Sequence, residues 1–154
     1  MENIQPYQQR LELPATPLWH PRFAHASRMH VVSTGRAGVD RAALDVARAL
    51  GLSVGEPRGR PVHDSDATLI LTLGTIDTAS TVIENIARRT GKPFLVVQLD
   101  APDALEKARA WMDEVRPQSL NVAGVRASRQ PGVYGRAYAF LSRVLRSGTA
   151  TARH

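Results

Sequence analysis

The chain has 154 residues, of which 43% are hydrophobic and 22% charged, enough apolar material for one domain with a proper core and too much for general disorder. Lys+Arg outnumber Asp+Glu by 20 to 14, a net charge of +6, which favours anionic partners; the arginines are nevertheless scattered, with no dense basic run or aromatic–basic interleaving to argue for nucleic acid. The absence of cysteine excludes disulfides, thiolate metal sites and cysteine nucleophiles, and no apolar run approaches the ~18 residues of a membrane span, so a soluble cytoplasmic protein is expected.

Residues 1–28 form an arm unlike the rest, rich in Gln and in helix-breaking prolines (Pro6, Pro14, Pro17, Pro21). Leu11, Leu13, Leu18, Trp19 and Phe23 give it apolar handles for lying across the domain or a neighbouring subunit. A Rossmann-like domain is expected over 29–147, and a tail, 148–154, should fray.

The first strand is predicted over about 30–34 and leads into a turn containing Gly35 and Gly38. Val39, Ala42, Ala43, Val46, Ala47 and Leu50 then recur at helical spacing, and Gly51 ends the helix. Residues 55–61 read as a Pro/Gly/Arg loop, and 67–73 as a continuous apolar strand ended by Gly74. A helix near 79–90 should bury Val82, Ile83, Ile86 and Ala87, and 93–99 is the third strand. The next helix begins near Pro102, with Ala104, Leu105, Ala108, Trp111, Met112 and Val115 facing inward. The fourth strand is 119–124, and a final helix over about 133–146 should turn Tyr134, Ala137, Tyr138, Leu141 and Leu145 inward. Unbroken apolar strands alternating with helices indicate an α/β domain, a Rossmann-like three-layer sandwich with a mainly parallel sheet.

In such sheets ligands bind outside the carboxyl ends of the strands. That rim draws Ser33, Thr34, Gly35, Arg36 and Gly38 from the first strand, and Gly74, Thr75, Asp77, Thr78, Ser80 and Thr81 from the second. Asp100 follows the third strand; Gly124, Arg126, Ser128 and Arg129 follow the fourth. Helix N-termini, small hydroxyls and guanidinium forks suit a phosphorylated ligand. Thr34, Gly35, Arg36, Gly38, Gly74, Thr78, Ser80, Gly124 and Arg126 are the candidate ligand-binding set. Each also has an architectural reading: Asp40 fits an N-cap, as do Thr78 and Ser80, Asp100 suits the next helix, and Ser128 with Pro131-Gly132 is turn chemistry. Asp64 and Asp66 precede a strand and therefore read as turn and capping groups at the opposite end. The histidines show no helical metal spacing, and no metal site is expected. Glu84, one turn into a helix, is the one acid placed for general acid/base work, although acids there also offset the helix dipole.

Four strings occur in order: Gly38-Val39-Asp40-Arg41-Ala42-Ala43-Leu44-Asp45, Asp64-Ser65-Asp66-Ala67-Thr68-Leu69-Ile70, Gly91-Lys92-Pro93, and Leu120-Asn121-Val122-Ala123-Gly124 with Pro131-Gly132-Val133-Tyr134. Over about 30–146 the chain thereby resembles the putative molybdenum carrier family, also described as circularly permuted YpsA-type SLOG proteins. The resemblance implies a Rossmann-like fold related to the lysine decarboxylase-like (LOG) phosphoribohydrolases. It also implies homo-oligomeric binding of molybdenum cofactor, a pterin with a terminal phosphate, or of another nucleotide-like ligand. The chain departs from the family pattern in three places. The first loop, usually Ser-Gly-Gly-Gln-Thr-Gly, is Ser33-Thr34-Gly35-Arg36-Ala37-Gly38; Thr78-Ala79-Ser80 replaces a Gly-Gly-Thr helix start. An insert usual between Arg60 and Val62 is missing, and only Pro57-Arg58-Gly59-Arg60 remains of its leading edge. Added Cβ atoms at these loops make the pocket shallower or differently shaped, and Arg36 either compensates with charge or fills space.

Three functions follow. The first is a binding protein for a phosphorylated nucleotide-like or pterin ligand. The second is a nucleoside-monophosphate phosphoribohydrolase-type enzyme using Glu84, although the related enzymes' Pro-Gly-Gly-x-Gly-Thr-x-x-Glu motif is absent. The third is a nucleic-acid-binding module, which only the net charge supports.

Overall fold

The computed structural model describes residues 29–55, 60–74 and 78–152, with side chains as far as 146. The predicted arm 1–28, most of the 55–61 loop, and Thr75 and Asp77 lie outside the described residues. Nine elements follow in order: β1 (His30–Val32), α1 (Val39–Ala49), β2 (Ser53–Gly55), β3 (Ala67–Thr72), α2 (Thr78–Thr90), β4 (Phe94–Gln98), α3 (Ala104–Val115), β5 (Ser119–Gly124) and α4 (Val133–Ala152). The strands form one five-stranded sheet in the order β2-β1-β5-β3-β4, with every pairing parallel.

Strand alternation sorts the sheet into two unlike faces. Val31, Leu69, Leu71, Leu120 and Val122 belong to the main core together with Ala42, Ala43, Val46, Ala108, Ala137 and Leu141 from α1, α3 and α4. These three helices form one layer, α4 packing between α1 and α3, while α2 packs against β3, β4 and β5 on the other face. That second face carries Thr68, Thr72 and Asn121, all buried. Asn121 is placed beside both Val32 and Thr68 by the parallel register, and its amide donates to Thr68 Oγ1 at 3.5 Å. Thr72 Oγ1 donates to the Val97 carbonyl at 3.2 Å, so this polar face is largely satisfied from within the sheet.

The strand order differs from a doubly wound sheet only in where the chain is cut. Counting from β5 and continuing through α4 to β1 turns β2-β1-β5-β3-β4 into the order 3-2-1-4-5 of the dinucleotide-binding arrangement. The helices following β5 and β3 leave toward opposite layers, so the topological switch lies between these two central strands, where Leu71 pairs with Gly124.

The amino edge is tied by groups predicted to be architectural. Asp66 Oδ2 accepts from the Gln118 and Ser119 amides at 3.0 and 3.1 Å, and the Asp66 amide donates to Ser119 Oγ at 2.9 Å. Asp66 thus staples the starts of β3 and β5. Lys92 Nζ donates to the carbonyls of His63 and of Ser65, the latter at 2.9 Å, which gives the Gly91-Lys92-Pro93 string its task of clamping the 60–66 turn onto the start of β4.

Several expectations are corrected. No strand is predicted between the first helix and the 55–61 loop, yet Ser53–Gly55 forms β2, a three-residue edge strand that takes the loop's first residue and is too short to show a period. β1 stops at Val32, two residues before the predicted end, because Ser33 turns its hydroxyl onto the Asp40 carbonyl at 3.0 Å. Val82 is 50% exposed and Tyr134 37% exposed. α2 stands alone on its face among the described residues, leaving Val82 without a helical neighbour, and Tyr134 reaches across the surface to donate to Asp45 Oδ2 at 2.6 Å. The last helix is assigned to Ala152, beyond the predicted end at 146.

Candidate functional site

The candidate residues divide into a joined group and a separate one. Two loops, β1–α1 and β5–α4, are laced together by an isolated antiparallel bridge between Gly38 and Arg126. Its bonds run from the Val39 amide to the Val125 carbonyl at 3.3 Å and from the Ala127 amide to the Ala37 carbonyl at 3.0 Å. Thr34, Gly35, Arg36, Gly38, Gly124 and Arg126 therefore share one corner of the carboxyl edge. Gly74, at the end of β3, faces the same β5–α4 loop: a Cβ there would lie 3.6 Å from Gln130 Nε2. Thr78 and Ser80 lie inside α2, Thr78 exposed and Ser80 buried against the sheet, so neither occupies the capping position expected of it.

The two glycines that close this corner serve the protein's own backbone. Gly38 has φ of +120°, and a Cβ there would meet Ala127 N and Val125 O at 2.7 Å. A Cβ on Gly124 would meet the Leu71 carbonyl at 2.2 Å and Val39 Cγ2 at 2.9 Å. Close approach requires glycine at both positions, and the group approaching is the neighbouring chain segment.

Helix α1 likewise does not offer most of its own first amides. Val39 donates to Val125, Arg41 to the Arg36 carbonyl at 2.9 Å, and Ala42 to the Gly38 carbonyl at 3.1 Å. The expectation of unpaired N–H groups at this helix end is corrected for Val39, Arg41 and Ala42, which the β5–α4 loop and the turn itself have taken. The amides of Gly35, Arg36 and Ala37, one step earlier in the loop, have no backbone acceptor among the described residues, and neither do those of Gly38 and Asp40. Gly35 holds φ of +77°, and its carbonyl accepts from Arg41 Nε at 3.2 Å.

Asp40 is the residue that sequence reasoning missed. The capping position belongs to Gly38, and no side chain caps the helix. Asp40 is instead 9% exposed, lying beneath the loop with its carboxylate accepting from Thr34 Oγ1. Burial pushes its pKa above the ordinary carboxylate value; bonds from Thr34 and the Gly124 backbone, and the nearby Arg36 charge, pull the other way. The signal was present in the helical period. Asp40 stands four residues before Leu44, on the same stripe, and Leu44 Cδ1 lies 3.4 Å from where a Gly35 Cβ would be. Leu44 and Asp40 together form the floor under Gly35 and Thr34.

The charges around this corner are unequal. Arg36 and Arg126 are exposed, and among the described residues neither lies within ion-pair distance of a carboxylate. Arg129 and Gln130 donate their amides to the Arg126 carbonyl, both at 3.0 Å, so Ser128 and Pro131-Gly132 belong to a compact turn that holds Arg126 in place. Asp100 is exposed after β4, and the residue at the start of α3 is Asp103. Glu84 accepts from Arg88 Nη2 at 2.6 Å, and the Arg88 guanidinium lies 5.1 Å from the Phe94 ring centroid. The carboxylate is held in a helix-surface ion pair, a poor arrangement for a general base. Among the described residues no group of three or more His, Asp or Glu could hold a metal ion, and no helix is long and apolar enough to cross a membrane.

The model of the circularly permutated YpsA SLOG family matches residues 56–145. The chain belongs to this family. The permuted strand order described above is its topological counterpart. A search of curated proteins finds no match. Among solved structures, a putative molybdenum carrier protein from Syntrophus aciditrophicus SB is similar, with a TM-score of 0.69 and 28% identity. The similarity covers 77% of this chain and 96% of that one. Family membership and this neighbour support a ligand-binding protein in coarse terms.

Proposed function

We propose that the protein binds a phosphorylated nucleotide-like or pterin ligand, molybdenum cofactor included, at the corner where the β1–α1 and β5–α4 loops join. The observation carrying this reading is the pair Arg36 and Arg126: two exposed guanidiniums without carboxylate partners among the described residues, on loops bridged at Gly38. Exposed arginines held in no ion pair among the described residues are available as bidentate forks for an anion. The amides of Gly35, Arg36 and Ala37 supply further donors, and a concave run of loop amides is a recurrent phosphate cradle. The position beside the topological switch is where doubly wound sheets hold ligands. The similar structure is named a putative molybdenum carrier protein, and the terminal phosphate of a pterin cofactor would match this donor set.

Thermal denaturation in the presence of AMP, inorganic phosphate and molybdopterin tests the reading. A ligand at a hundredfold excess over its Kd should stabilise the fold by about 2.7 kcal/mol. The double variant R36A/R126A should lose that gain while keeping the ligand-free stability. Absence of stabilisation by every phosphorylated probe contradicts the proposal. Self-association belongs to the same proposal, and sedimentation velocity with and without ligand reads it.

A further inference from the structure

We infer that Thr34 and Asp40 form an acceptor-only subsite, which selects ligands carrying a hydroxyl or N–H donor beside their phosphate. This rests on the anion-binding reading above and concerns the part of the ligand that the arginines do not hold. Thr34 is exposed, and at first sight its hydroxyl is one more donor for a phosphate oxygen. A hydroxyl has a single proton and two lone pairs. Here that proton is directed at Asp40 Oδ2, so the face of Thr34 turned to solvent offers lone pairs alone.

The carboxylate behind it is buried under the loop. Asp40 is 9% exposed, and its carboxylate accepts from Thr34 Oγ1. Ser33 does not compete for the carboxylate, because its hydroxyl is committed to the Asp40 main-chain carbonyl at 3.0 Å. A phosphate oxygen against Thr34 would therefore meet lone pairs, with a buried acid behind them. A sugar hydroxyl or an amino N–H would meet a polarised acceptor. Two residues along the same loop, Arg36 supplies the positive charge that Thr34 lacks. The loop is thus divided into an anion half, Gly35 to Ala37, and a donor-seeking half, Thr34.

The test titrates wild type, T34V and T34S with AMP and with inorganic phosphate, following binding by calorimetry. T34V keeps the shape of the exposed side chain and removes the acceptor. It should weaken AMP roughly five- to tenfold, the worth of one hydrogen bond, and leave phosphate affinity within about twofold. T34S should restore AMP binding. D40N gives a second reading: its amide can donate to Thr34 and free the hydroxyl proton, so D40N should tighten phosphate binding and weaken AMP. Equal loss of both probes in T34V, or unchanged AMP binding, overturns the inference while the anion site stands. Failure of wild type to bind either probe overturns the anion site and the inference with it.

Discussion

Replacing Gly38 by alanine attacks the joint on which the corner depends, and its cost can be worked from the backbone. At φ of +120° an L-residue is strained wherever it is placed, by about 1–3 kcal/mol. The new Cβ would also lie 2.7 Å from both Ala127 N and Val125 O and 2.9 Å from Arg126 Cα. All three are backbone atoms, so relief requires the β5–α4 loop to move away, an overpacking cost of about 1–3 kcal/mol. The sum, roughly 2–6 kcal/mol, is a large part of the ~5–15 kcal/mol that holds an ordinary domain together. Gly51 provides the control: its φ is +76°, but a Cβ there meets nothing within 4 Å, so G51A should cost only the local strain of roughly 1–2 kcal/mol. Urea denaturation of the two variants separates the terms, with a lower midpoint and an unchanged m-value expected for both. In thermal terms G38A should fall on the order of 10 °C. Equal destabilisation of G38A and G51A would refute the claim that the Gly38–Arg126 bridge is a tight backbone contact.

Asp40 makes a pH prediction with a definite sign. Its folded pKa is raised, so the native state binds more protons than the unfolded chain between the two values, and stability falls as pH rises through that window. D40N should therefore gain on wild type above the raised pKa and lose that advantage at pH below 3.8, the ordinary value; a pH-independent difference in urea midpoint would contradict this. K92M removes the donor to the His63 and Ser65 carbonyls and should cost about 1–3 kcal/mol, with hydrogen exchange speeding up first at residues 60–66. D66A should destabilise by about 1–2 kcal/mol without altering ligand affinity, and a loss of affinity would show that the amino edge is more than a staple. Arg116 ends α3 with φ of 47°, so R116G should stabilise by about 1 kcal/mol, read as a higher urea midpoint.

The architecture was legible because apolar runs such as 67–73 and 119–124 have no competing reading between alternating helices. β2 escaped because three residues, one exposed and two half-buried, carry no period, and because the helix before it and the loop after it supply the stronger signals. The meeting of the two loops at the carboxyl edge was legible, and their internal wiring was not. Gly38 and Gly124 announce close approach, yet nothing local distinguishes a ligand's phosphate from the protein's own carbonyl as the group approaching. That distinction depends on β5 lying beside β1, a contact between segments about ninety residues apart in the chain. Asp40 was misplaced for a related reason. Its type and position match an N-cap, whereas its fate is decided by Thr34 and Gly124 closing over it. Val82 and Tyr134 fit their helical stripes, but exposure depends on which layer lies opposite, and α2 has no helix beside it among the described residues.

The central claim is that the β1–α1 loop, backed by Arg126, is where a phosphorylated ligand sits. Amide chemical-shift mapping of 15N-labelled protein during an AMP titration tests it most directly. The account predicts saturable shifts concentrated at Thr34, Gly35, Arg36, Ala37 and Arg126, with the α1 amides of Arg41 and Ala42 changing little because their acceptors are internal. Saturable shifts centred on the amino edge around Asp66 and Lys92, with the Gly35–Ala37 amides unmoved, would contradict it.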